Sequence, residues 1–151
     1  MDSSTKKVIE NKVFFQTITD TLSDKASVSF IVKGRSMMPF LHDQETEVFC
    51  KKKNRYQVND ICLFNIKDQY FLHRLIKIKG DQYFFRGDHL YTYEIVGEDQ
   101  ILAYVYQFQH KDKMIITKNW VYRFKVFITL KFKAIKMFLR HIYRGVIHGR
   151  Q

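Results

Sequence analysis

The sequence predicts a mainly β (α+β) fold with a helix at each end. Residues 27–118 break repeatedly into short runs rich in β-branched and aromatic residues, separated by turn signals. From Trp120 onward the apolar spacing changes to that of a long helix. With one proline and six glycines in 151 residues, the chain has no room for a long flexible linker. A length of this order forms one core-burying domain.

The elements follow in order. In "KKVIENKVFFQTITDTLSD", Phe14, Ile18 and Leu22 fall four apart, which predicts a short amphipathic helix within residues 1–26. "SVSFIVKG" alternates Val28, Phe30 and Val32 against Ser27, Ser29 and Ile31, a strand ending at Gly34. A second strand is expected at 46–50, and "KKKNRY" after it reads as a solvated charged loop. Runs at 59–66, 69–78 and 81–86, divided by "KDQ" and "KGD", read as a meander of hairpins. Further strands are expected at 101–108 and 114–118, closing a β-rich body over residues 27–117.

Residues 118–151 form the third region. Lys125, Thr129, Lys133, Lys136, Arg140 and Arg144 fall within roughly 100° on a helical wheel, and Phe124, Phe127, Ile128, Ile135, Phe138 and Ile142 take the other side. Lys131 interrupts the apolar arc and has to snorkel.

Composition narrows the function classes. Apolar content of 46% and aromatic content of 16% describe a globular chain. The net charge of +11 is uneven: residues 1–109 carry +1 and residues 110–151 carry +10. "MDSSTKKVIENKVFF" has charges where the apolar core of a secretion signal belongs, so no signal peptide is expected. No window approaches ~20 mostly uncharged apolar residues, so no transmembrane segment is expected and the chain reads as cytoplasmic. Cys50 and Cys62 lie in strand-like runs without a CxxC partner and read as buried free thiols of a reducing compartment, a single disulfide being the minor alternative. His42, His89, His110, His141 and His148 show no metal-ligand spacing, so neither a metal nor a cofactor is expected.

The stretch "GRSMMPFL" (34–41) places Ser36 between bulky residues, beside the chain's only proline. Taken alone, Ser36 reads as a turn residue, His73 as a strand residue, and Asp88 as a hairpin acid. Together with "YQVNDICLF" (56–64), "FLHRLIKI" (71–78) and "YFFRGDHLYTYEIVG" (83–97), the stretch resembles the signal peptidase I superfamily, which includes the self-cleaving, LexA-like repressors. The resemblance covers residues 28–106 and implies that superfamily's complex β fold. His73 followed by Arg74 is similar to the histidine-type branch, where the others carry a lysine.

The resemblance implies a serine endopeptidase. A serine hydroxyl is a weak nucleophile and needs a neighbouring base. Histidine, titrating near ~6.5, can take the Ser36 proton and return it to the leaving amine. By motif position the group orienting His73 is Asp88 or Glu94, with Glu94 the favoured direct partner and Asp88 a structural or electrostatic acid. The Ser36 N–H is the natural first oxyanion donor; at the position two before it, where lysine-type enzymes can supply a hydroxyl, stands Gly34. Asn59, His89 and Ala103 depart from the family pattern without removing a catalytic group, and asparagine tolerates the left-handed backbone a glycine would adopt. The implied substrate is an extended precursor peptide paired along a strand. Its walls would come from "SVSFIV" and "FLHRL", with Gly34, Met37, Pro39, Phe30, Val32 and Leu72 as substrate-binding residues.

The basic helix carries the rival expectations. Either its apolar face packs on the β body and its cations merely face water, or, the sharper expectation, residues 119–148 attach peripherally to an anionic membrane at its inner face. A catalytically silent surface- or partner-binding module is the alternative function. Nucleic acid is not expected, because the helix is too apolar and no recognition motif accompanies its charge. A self-cleaving regulator ranks last, because only about 27 residues precede the first strand and hold no Ala-Gly pair.

Overall fold

In a computed structural model, residues 13–22 and 27–148 are described, apart from several side chains near the end of the last helix. The chain forms two compact units, Met1–Thr117 and Lys118–Gln151.

The first unit is an eight-stranded antiparallel sheet with a helix, α1, over residues 13–22. The parts of the expected N-terminal helix at 6–12 and 23–24 lie outside the described residues. The strands are β1 (Val28–Ile31), β2 (Thr46–Lys51), β3 (Ile61–Ile66), β4 (Gln69–Lys79), β5 (Gln82–Arg86), β6 (Glu94–Val96), β7 (Ile101–His110) and β8 (Lys113–Ile116). Their spatial order is β1-β2-β7-β3-β4-β5-β6, with β8 also on β7. The mainly β, α+β fold is therefore as the sequence predicts.

The hairpins are set by local chemistry. β3 and β4 join through Lys67 and Asp68, both at positive φ, with Ile66 opposite Gln69. Positive φ at both central residues matches the right-handed twist of the flanking strands. β4 and β5 turn at Gly80, φ +56°, the residue type for which that conformation costs least. β6 was not foreseen: three residues, "EIV", show no usable alternation, and β6 exists through its pairing with β5. β3 begins at Ile61 rather than Asn59, which sits at φ +79° in the preceding turn.

One core lies among β3, β4, β5, β6 and β7, where Phe64, Leu75 and Phe85 are buried beside Tyr56, Cys62 and Tyr104. Fully burying a side chain of this size contributes about 1.5–3 kcal/mol. α1 buries Ile18 and Leu22, and its Phe15 stacks on Tyr70 of β4 at 4.3 Å.

In the second unit, α2 runs from Trp120 to His148. Asn119 caps it, its Oδ1 accepting from the Val121 N–H at 2.8 Å. Phe124, Phe127, Phe132, Ile135, Phe138 and Ile142 are all exposed. Among the described residues, no helix is long and apolar enough to cross a membrane.

Candidate active site

Ser36 sits on a tight helical turn after β1. The turn closes through Met38 N–H to Arg35 O (3.2 Å), Phe40 N–H to Met37 O (3.1 Å) and Leu41 N–H to Met37 O (3.0 Å). Met37, Phe40 and Leu41 are buried and anchor the turn, while Ser36 just before them stays partly exposed. Gly34 enters the turn at φ +97°, a conformation that side chains disfavour, and donates its N–H to Asp43 Oδ1 at 2.8 Å.

The turn rests on the residues after β5. The Ser36 carbonyl accepts from the His89 N–H at 2.8 Å. A β-carbon on Gly87 would lie 2.7 Å from the same carbonyl oxygen, so only glycine permits this approach. Arg74 pairs with Arg86 across β4 and β5, so continuing that register by one residue brings Gly87 abreast of His73.

The platform beneath is ionic. Arg74, 1% exposed, gives Nε and Nη2 to the two oxygens of Asp88 at 2.8 and 2.7 Å. Its Nη1 donates to the Asn59 carbonyl at 3.0 Å, and its guanidinium lies 5.3 Å from the Phe40 ring centre. One buried cation thus ties together β4, the 57–60 turn, the Gly87-Asp88 segment and the Ser36 turn. Desolvation makes such a pair costly to break from one side.

His73, 4% exposed, places its ring near Phe64 and Phe71. Its Nδ1 lies 2.9 Å from Glu94 Oε2. The carboxylate therefore holds one ring nitrogen and leaves Nε2 for a second partner.

Of the expected substrate-binding residues, Phe30, Val32, Gly34 and Leu72 line one groove of about 730 Å³. Phe14, Phe15, Leu63 and Tyr70 complete its apolar walls. Alternation along β4 sends Tyr70 and Leu72 to this groove and Phe71 and His73 to the opposite face. Pro39 is exposed, and Met37, 1% exposed, is buried in the turn; neither is a wall of the groove. Sequence reasoning missed Phe15 and Tyr70, which only the docking of α1 brings together.

The mainly β fold is joined by a family match that supports membership of the LexA and signal-peptidase-like superfamily. The Peptidase S24-like family model matches residues 5–105, and the chain belongs to that family. No curated protein matches the sequence.

Proposed function

We propose that this chain is a serine endopeptidase of the signal-peptidase type, cleaving an extended precursor peptide through a Ser36–His73 acyl-enzyme mechanism. The observation that carries this reading is the His73–Glu94 contact at 2.9 Å, in a chain of a peptidase family. Glu94 would orient the imidazole and stabilise its cation. Nε2 would take the Ser36 proton as Oγ attacks the scissile carbonyl, which requires the two atoms to come within ~3 Å in the reacting complex. The imidazolium would then protonate the leaving amine, and water would hydrolyse the Ser36 ester by the same route. The Ser36 N–H would serve the oxyanion.

β1 ends the sheet order, so its outer edge suits main-chain pairing with an extended peptide. The test is incubation of the protein with short extended peptides, read by intact mass, using wild type, Ser36→Ala and His73→Ala. Defined fragments are expected from wild type alone. The same fragments appearing with either variant would remove this assignment.

A second reading, a membrane-surface or partner-binding module, is favoured by the exposed apolar residues of α2 opposite its cations. Such a helix lies in the plane of an anionic leaflet, the chemistry of the inner membrane face. Wild type should sediment with vesicles containing anionic lipid, and Phe124→Glu/Phe138→Glu should not. Equal sedimentation of both would oppose it.

A further inference from the structure

We infer that His42, Glu45 and His110 form a binding site for a divalent transition cation of the zinc type. One ligand atom from each lies within 4.8 Å of the others. His42 and Glu45 are three residues apart on the turn that leads into β2. His110 ends β7, where it pairs in register with Thr46. The spacing 42, 45, 110 follows no sequence motif, so the set exists only through the β2–β7 ladder.

Thr46, 0% exposed, accepts the His42 N–H at 2.9 Å and lies 3.2 Å from His110 Nδ1. When Nδ1–H donates to the Thr46 hydroxyl, the Nε2 lone pair is available to an ion on the side of Glu45 Oε2, 3.9 Å away. Orientation of a ligating imidazole through its other nitrogen is how such sites fix the tautomer. A 3.9 Å gap is too long for a hydrogen bond. Two bonds of about 2.0–2.2 Å at a tetrahedral ion place their ligand atoms roughly 3.3–3.6 Å apart, so the two side chains need only close by a few tenths of an ångström to share one. The two imidazoles stack with centroids 4.3 Å apart and planes 24° apart, so one ring must tilt for both nitrogens to face a single ion.

Two imidazoles and one carboxylate suit zinc, cobalt or nickel rather than magnesium or calcium, which prefer all-oxygen shells. Three protein ligands leave a coordination position open to solvent. The site lies at the returning limb of the Ser36 turn, where Gln44 N–H meets Val32 O at 2.8 Å and Val32 N–H meets Thr46 O at 2.9 Å. A bound ion would pin that limb to the end of β7.

The test uses the full chain, stripped by chelator and dialysed against zinc, with cobalt as the spectroscopic probe. One zinc per chain and intense visible cobalt bands of low coordination number are expected. His110→Ala and His42→Ala should weaken binding by ~100-fold or more, and Glu45→Gln by ~10–100-fold. His141→Ala/His148→Ala should leave it unchanged. Should the histidine variants fail to fold, Glu45→Gln decides alone, because that side chain is 59% exposed. Binding weaker than ~1 mM, binding unmoved by Glu45→Gln, or equal affinity for magnesium would overturn the assignment.

Discussion

His73 and Glu94 meet at 2.9 Å although their strands, β4 and β6, are separated by β5. The contact orients a buried imidazole with a carboxylate that is itself only partly exposed. Glu94→Gln keeps the size and removes the charge, so it is expected to lower kcat by ~10²–10⁴-fold with little change in Tm. Glu94→Asp should recover part of the rate. Peptide turnover beside a thermal melt checks both, and full activity in Glu94→Gln would deny Glu94 its role.

Arg74 and Asp88 are expected to behave as a stability element. Removing one partner leaves the other charge buried, at a cost of about 3–5 kcal/mol. Arg74→Met and Asp88→Asn should each destabilise to that extent in denaturant melts. The double variant Arg74→Met/Asp88→Leu should lose less than the sum of its two singles. Additive losses would show that the two side chains act independently.

Gly87→Ala is a probe of how the serine turn is seated. The added methyl would meet the Ser36 carbonyl at 2.7 Å, so the turn must move. Overpacking of this kind costs about 1–3 kcal/mol. If Ser36 is the nucleophile as proposed, turnover should fall by ~10²-fold or more while the sheet remains folded, because a misplacement of about 1 Å there is enough. Circular dichroism and peptide cleavage separate the two effects.

The cysteines make a pH prediction. Cys50 and Cys62 are free and fully buried, and desolvation pushes both thiols far above their ordinary range. In the unfolded chain they lose protons from about pH 8.5, while in the folded chain they stay neutral. The neutral thiols therefore give their full contribution below that pH. Above it the unfolded state is favoured by up to ~1.4 kcal/mol per pH unit for each thiol. Tyr56, pushed up to about 12 chiefly by burial, extends the trend at still higher pH. Denaturant midpoints should fall between pH 8 and 10, and Cys50→Ala/Cys62→Ala should flatten that fall. Thiol reagents should label the native protein far more slowly than the unfolded chain, and rapid native labelling would contradict the burial.

Local patterns carried most of the architecture. Alternation through Val28, Phe30 and Val32, the turn signals at Lys67-Asp68 and Gly80, and the helical period after Trp120 each depend on neighbours a few residues away. Those features are written in short windows of sequence, and the structure follows them. The serine turn, the His-Arg strand and the Gly-Asp segment were legible as pieces, with Asn59 at φ +79° filling a turn where glycine is usual.

What single windows could not contain was decided by pairing across the sheet. β6 is too short to announce itself, yet it delivers Glu94 to His73; Arg74 meets Asp88 and Phe40 through contacts distant in sequence. Met37, an apolar residue beside the serine, is 1% exposed, a burial that its own stretch of sequence does not specify. His42 and His110, 68 positions apart and unremarkable by spacing, stack because β2 and β7 run side by side. Propensity and periodicity are properties of a local stretch, so composition and order determine strands, turns and the cationic helix. Which side chains share a site depends on strand register and sheet order, and these are settled only when the whole sheet assembles.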